Sequence, residues 1–430
     1  VALKALFAQF NKAQGNGSHS ARLTDFDAFI KDRGKPLHDL ATFQALEEHQ
    51  GPPATWPDGF RQCDMPTVRE FQDQHTDLCR FYQYLQFEAD RQLALAAQQA
   101  RTSGLAIGLY GDFAVGAAPD GAEVWSNPKS FARACVFGAP PDPFSDEGQD
   151  WGMPPLNPHH MSETGYQGFA ALLHANMRHT GALRLDHVMW LERMFWIPHG
   201  GTAKDGAYVR YPRDDLLGVL ALQSQRNKCL VVGEDLGTVP VGFRERMEPE
   251  CVLSYRFLRF ERFPDGLFQR PETYPRVALA TPASHDLATL RGFWLGRDIE
   301  AMERAGLICD AEAANLQSNR ARERVQLVAA LVDQHSLAAD FSTDKLLSDQ
   351  DMEALTDGVH RFLGRTPSAL IMVNIEDLAG VEHQANLPGT VDQYPNWRQR
   401  LPRNLTPEDL HRRLKQTALI LAGQITSPGN

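Results

Sequence analysis

Short apolar runs that follow helical stretches are the feature of this sequence that most constrains its fold. Phe81, Leu85, Ala89, Leu93, Ala96, Ala97 and Ala100 fall on one face of a helix from Phe81 to Arg101. Gly104 offers a stop, and Leu105 to Leu109 reads as a buried strand. The cycle repeats with a helix around Phe169 to Met177, Gly181 and a strand from Ala182 to Leu185. It repeats again with a helix from Asp214 to Gln225 and a strand from Cys229 to Val232. Further strands are expected at Val252 to Phe260, Val277 to Ala280 and Leu370 to Ile375. Helix and strand in alternation predict an α/β fold with parallel strands.

Three of these six strands run into an acidic residue, namely Asp112, Asp186 and Glu234. A (β/α)8 (TIM) barrel gathers its functional groups at the C-terminal ends of its strands, so the pattern fits a barrel with helical insertions better than a doubly wound sheet. The expected division is a helical region over 1–104, the central barrel strands with the site residues over 105–298, a helical insertion over 299–368, and the last barrel strand with a C-terminal helix over 369–430.

Charge and cysteine usage narrow the function. With 43 basic and 54 acidic residues the 430-residue chain carries a formal charge of −11, which disfavours nucleic acid and an anionic membrane surface and is easier to reconcile with a neutral substrate. The six cysteines, Cys63, Cys79, Cys135, Cys229, Cys251 and Cys309, lie far apart without metal-site or disulfide spacing and read as reduced thiols. No apolar run is long enough to span a bilayer and no signal peptide opens the sequence, so a cytoplasmic location is expected.

The loop from Gly138 to Pro158 holds six prolines and three glycines. That composition argues against regular structure, while Phe144 and Trp151 would be wasted on a mere connector. A functional lid and a packed structural crossover both fit it.

In the strand ending at Asp186, Arg184 and Asp186 share a face. The arginine should lower the pKa of the carboxyl and keep it ionised, as a nucleophile requires, although a plain buried ion pair has the same signature. Glu234 follows Leu230, Val232 and Gly233 at the mouth of an apolar strand, surroundings that raise a carboxyl pKa toward the range of a general acid; capping of a following helix by Glu234 or Asp235 is the other reading. Ser284-His285-Asp286 could be metal ligands or part of a nucleophilic triad. No H-E-x-x-H, G-x-S-x-G, Walker or G-x-G-x-x-G pattern supports either that chemistry or nucleotide binding. What remains is three acids after strands, and carboxylates flanking a sugar bond are the apparatus of glycoside chemistry.

The segments Ala182-Leu183-Arg184-Leu185-Asp186-His187-Val188, Val232-Gly233-Glu234-Asp235-Leu236-Gly237 and Ser284-His285-Asp286 resemble, in order, three sequence regions of the α-amylase clan. In detail they are similar to the bacterial amylomaltase (4-α-glucanotransferase) family. Further similarity lies in Gly108 to Asp112, Gly138 to Asp142, Gly148 to Gly152, Gly206 to Val209, Asn386 to Thr390 and Tyr394 to Arg398, so that the resemblance covers essentially the whole chain. It implies that Asp186 is the nucleophile, Glu234 the general acid/base and Asp286 the transition-state stabiliser. Arg184 and His285 would hold the nucleophile and the hydroxyls of the cleaved sugar, Asp112 would lie beneath that sugar, and the loop with Asp142 and Trp151 would border the acceptor side.

The implied reaction is retaining transfer of α-1,4-glucan segments from a maltodextrin to glucose or maltose, with no metal and no other cofactor. The resemblance also implies that the first two barrel strands precede Val1, so that a missing N-terminal segment of the same protein is an expected partner of residues 1–430. An α-1,4-glucan hydrolase shares the three acids and is the nearest alternative. A catalytically inactive glycan-binding barrel is the alternative from another class, and the presence of all three acids argues against it.

Overall fold

In the computed structural model, residues 1–12, 17–141 and 147–423 are described, and they fall into two compact units, Val1–Phe243 and Arg244–Asn430. Each unit mixes helices with parallel strands, a mixed α/β fold.

The first unit begins with helices alone. Among the described residues Ala2–Lys12, Gly17–Gln50, Pro66–Gln74 and Thr76–Thr102 precede any strand. The helix Gly17–Gln50 breaks at Gly34, whose φ of 55° lies in the left-handed region, and Pro36 follows where its missing N–H does least harm. Phe7, Phe10, Phe26, Phe81, Tyr84 and Phe87 join three of these helices in an aromatic core, with neighbouring ring centroids 4.8–6.1 Å apart.

Seven strands follow in the first unit: β1 (Tyr110–Phe113), β2 (Cys135–Ala139), β3 (Gln149–Met153), β4 (Ala182–Leu185), β5 (Arg193–Pro198), β6 (Ala207–Arg210) and β7 (Leu230–Gly233). β4 lies between β1 and β7, all parallel, and every residue of β4 is buried. Asp112, Arg184 and Val232 are register partners, so their side chains stand on one face of the sheet.

Two expectations need correction here. The strand expected at Leu105 to Leu109 lies later, at β1, because Gly108 takes φ 76° and interrupts extended backbone; the ladder opens only where Gly181 N–H donates to Leu109 O at 2.8 Å. The Gly138 to Pro158 segment was expected to lack regular structure, yet it carries β3 and the end of β2. No proline falls within Gln149–Met153, and antiparallel pairing sets Gly138 against Asp150 and Ala139 against Gln149. A Cβ on Gly138 would lie 1.8 Å from Gln149 O, so only glycine allows that approach. The resulting antiparallel sheet, in the order β3-β2-β5-β6, has no counterpart in the strands read from sequence.

The second unit holds β8 (Leu253–Phe257), β9 (Ala278–Thr281) and β10 (Leu370–Ile371), parallel, with β9 paired to both others. Between β9 and β10 come the helices Leu290–Leu295, Arg297–Arg304, Asp310–Asp333 and Asp349–Leu363. Phe293, Trp294, Leu331, Leu355, Val359 and Phe362 form much of their core. Arg320 is buried in this insertion without being left uncompensated. It donates to both carboxylate oxygens of Asp298 at 2.8 Å and to Phe293 O at 2.7 Å.

All six cysteines are free of disulfides. Among the described residues no helix is long and apolar enough to cross a membrane.

The fully buried ring of Phe26 gives a stability test. Phe26→Ala should destabilise the protein by about 3–5 kcal/mol, because the rings around it cannot close the cavity. Denaturant unfolding followed by circular dichroism should show it, and a loss below about 1 kcal/mol would show that the aromatic cluster is not a cooperative part of the fold.

Candidate active site

The parallel ladder places the acids of the first unit one residue beyond their strands. Asp186 N–H donates to Phe113 O at 3.0 Å, and Glu234 N–H donates to Leu185 O at 2.9 Å. Both carboxylates therefore stand at C-terminal strand ends, where a sheet of this kind leaves room for a ligand.

Arg184 organises this corner. It is buried, and its two terminal nitrogens reach Asp112 Oδ1 and Asp186 Oδ1, each at 2.7 Å. Burial works against the guanidinium charge, but Asp186 and then Asp112 outweigh it and hold the Arg184 pKa well above its ordinary value. Asp186 thus faces a cation that stays charged. The sequence reading of Arg184 and Asp186 as neighbours holds, and Asp112 proves to be the second anion on the same guanidinium.

Glu234 is in a different environment. It is 8% exposed, and burial followed by the nearby Asp186 charge pushes its pKa up from 4.5 to about 7. Two backbone donors oppose that shift without cancelling it: Leu236 N–H to Oε1 at 2.7 Å and His187 N–H to Oε2 at 2.9 Å. The carboxyl is therefore held by main chain on both oxygens, and helix capping does not explain it. Gly233 makes the approach possible. A Cβ there would come within 2.8 Å of Val188 Cγ1, while Val188 N–H donates to Glu234 O at 2.9 Å.

His187 is the residue whose part sequence reasoning missed. It takes φ 45°, rare for a side chain of its size, and that turn directs its N–H at Glu234. Burial lowers its pKa to about 4, so the ring is neutral near pH 7. Trp151 packs edge-on against the His187 ring at 5.1 Å and against Phe137 at 5.6 Å, and its Nε1 donates to Gln149 Oε1 at 2.9 Å. The expected loop tryptophan is thus tied through His187 to the main chain that holds Glu234. Asp142, the other residue expected on that loop, lies outside the described residues.

Asp286 and His285 belong to the second unit and have their own network after β9. His285 Nε2 is 3.2 Å from Asp286 Oδ2, and Asn386 Nδ2 donates to Asp286 Oδ1 at 2.7 Å. Gln384 Nε2 donates to Asp286 O at 3.2 Å and to Asn386 O at 2.8 Å, and Asn386 N–H donates to His285 O at 3.0 Å. Asn386 stood in the sequence only as part of a motif. Its hold on Asp286 spans a separation of 100 residues, which periodicity cannot reveal. No three His, Cys, Asp or Glu side chains among the described residues are grouped as a metal site.

The Glu234 environment predicts a stability signature. Below pH 4.5 this carboxyl is neutral whether the chain is folded or not; between 4.5 and 7 the folded state keeps a proton that the unfolded state releases. Its contribution to stability is therefore greatest at low pH and is lost as pH rises through 7. Relative to wild type, Glu234→Gln should gain up to about 3 kcal/mol between pH 4 and pH 8. Thermal or denaturant unfolding of both proteins across that range measures it, and a difference that stays flat with pH would show that Glu234 titrates normally.

The chain is similar to known proteins over most of its length. The 4-alpha-glucanotransferase family model matches residues 1–406. A 4-alpha-glucanotransferase of Mycobacterium tuberculosis is 37% identical over 381 residues, covering 87% of this chain and 51% of the relative. One from Haemophilus influenzae is 35% identical over 415 residues, covering 94% of this chain and 59% of the relative. The chain thus spans about half the length of the curated relatives it matches. The crystal structure of amylomaltase from Corynebacterium glutamicum superposes with a TM-score of 0.82 at 29% identity, covering 98% of this chain and 58% of that one. A Streptococcus agalactiae amylomaltase solved in complex with acarbose has the same fold, with a TM-score of 0.74 at 18% identity. With a family match over most of its length and relatives above 30% identity, the chain belongs to the 4-alpha-glucanotransferase family.

Proposed function

We propose that this chain carries the catalytic residues of a 4-α-glucanotransferase that moves α-1,4-glucan segments from a donor maltodextrin to the 4-hydroxyl of an acceptor such as glucose or maltose. The observation that carries the reading is the contrast between two carboxyls. Asp186 is ion-paired at 2.7 Å to a buried guanidinium, whereas Glu234 is buried with its pKa pushed up to about 7. Environments that drive two carboxyl groups apart mark one as the anion and the other as the proton carrier.

In the first step the Asp186 carboxylate attacks C1 of the glucosyl unit as the bond from C1 to the glycosidic oxygen breaks. Glu234 gives its proton to that oxygen, and a glucan ends up on Asp186 through an ester bond. In the second step the acceptor hydroxyl gives its proton to Glu234 and attacks C1, releasing Asp186. A pKa near 7 suits a group that must donate and then accept at neutral pH. Arg184 keeps Asp186 ionised and oriented, with Asp112 as its counterweight.

Asp286, oriented by Asn386 and flanked by His285, supplies a negative charge for the positive character that develops at C1, and His285 binds sugar hydroxyls. Asp142 and Trp151 border the acceptor. The parallel strands are assigned to a (β/α)8 barrel, the architecture that the resemblance implies.

Incubated with maltotriose, the protein should yield glucose and a ladder of longer chains, with no requirement for metal or nucleotide. A rise in total reducing ends in step with cleavage, without longer chains, would identify a hydrolase instead. Asp186→Asn, Glu234→Gln and Asp286→Asn should each lower turnover by about 10²-fold or more while leaving the circular dichroism spectrum unchanged. Near-normal turnover in the Asp186 variant would remove that residue from the nucleophile's part.

A further inference from the structure

We propose that Trp397 is a stacking platform for a glucosyl ring bound beside Asp286, an inference that rests on the function proposed above. Trp397 is 66% exposed, although it belongs to a loop that is otherwise bound tightly into the second unit. Its φ of 59° puts a large side chain in the left-handed region, a strained conformation for such a residue. Burial of the indole does not compensate for that strain, because most of the ring remains in water.

The strain is held by the rest of the loop. Trp397 N–H donates to Ala385 O at 2.8 Å, and Asn396 Oδ1 accepts from Leu387 N–H at 2.9 Å while its Nδ2 donates to Thr390 Oγ1 at 2.9 Å. Tyr394 O–H donates to Gln384 O at 2.8 Å, and the Gln384 side chain in turn donates to the main chain of Asp286 and Asn386. The circuit closes on the rings: the indole packs on the His285 imidazole with centroids 5.0 Å apart and planes inclined by 40°. One connected set of bonds therefore fixes the carboxylate of Asp286, the ring of His285 and the indole of Trp397.

An apolar aromatic face bordered by a carboxylate, an imidazole and a carboxamide matches the chemistry of a pyranose. The C–H face of the sugar covers the indole, and its hydroxyls find donors and acceptors at His285, Asp286 and Asn386. The carboxylate disfavours a phosphorylated ligand at the same place, which selects a neutral sugar.

The test uses the intact protein with maltodextrin donors, comparing Trp397→Ala and Trp397→Phe by KM and kcat. Loss of stacking in Trp397→Ala should raise KM for donor or acceptor about 3- to 10-fold with kcat changed less than about 3-fold, and Trp397→Phe should recover most of the loss. Unchanged KM in Trp397→Ala, or equal losses in both variants together with a lowered Tm, would overturn the inference and leave Trp397 as a packing residue. Should Trp397→Ala fail to fold, Trp397→Gly, which tolerates the positive φ, replaces it with the same expected KM. An independent readout is tryptophan fluorescence in the slowed Glu234→Gln protein: titration with maltotetraose should shift the emission, and the shift should shrink clearly when Trp397→Phe is added. Trp151 accounts for whatever shift remains, so a shift of undiminished size when Trp397→Phe is added rejects the proposal. If the wild-type protein fails to disproportionate maltotriose, the proposed function falls; if it succeeds and Trp397→Ala matches it, this inference alone falls.

Discussion

The buried guanidinium of Arg184 is the interaction on which the first unit's site depends. A cation on a fully buried strand is tolerated only with anions against it, and Asp112 and Asp186 meet it at 2.7 Å from β1 and from the end of β4. Strand register makes the arrangement unavoidable: Asp112 and Arg184 are partners across the sheet, and Asp186 is the next residue on the same face. Removing the guanidinium would leave two carboxylates with no cation between them. The pair is therefore a structural requirement and a chemical device at once, because what keeps the fold from carrying an uncompensated charge also keeps Asp186 an anion.

That anion then acts on its neighbour. Glu234 rises to about 7 first because it is buried and second because Asp186 is charged. The main-chain donors from His187 and Leu236 limit the rise, so the group stays within reach of a proton at neutral pH. The left-handed turn at His187, the glycine at 233 and the packing of Trp151 on the His187 ring all converge on this one carboxyl. The second unit follows the same logic with different means, since Asn386 and Gln384 fix Asp286 through side-chain amides rather than through an arginine.

The acids could be read from the sequence because each follows an apolar run, and strand alternation is enough to set Arg184 beside Asp186. Their partners were hidden for physical reasons. Asn386 reaches Asp286 across 100 residues, and the positive φ angles of His187 and Trp397 belong to residue types that give no local sign of such a backbone. The strand at Tyr110–Phe113 was placed too early because Leu105 to Leu109 is the more apolar run, whereas β1 is half-exposed and includes Gly111 and Asp112. The antiparallel sheet stayed invisible because the prolines and glycines around β2 and β3 read as loop. The helix read from Phe81 to Arg101 lies within Thr76–Thr102 and was legible, since a long periodic pattern leaves little choice.

The most direct measurement of the central claim, that Asp186 is the nucleophile and Glu234 the proton carrier, is covalent trapping on the Glu234→Gln variant. With α-glucosyl fluoride as donor, attack at C1 expels fluoride, which needs no proton from Glu234, whereas release of the sugar to an acceptor does need the missing base. Intact-mass spectrometry should then show one added glucosyl group, and fragmentation should place it on Asp186. An adduct on any other residue, or none while fluoride is released, would contradict the account.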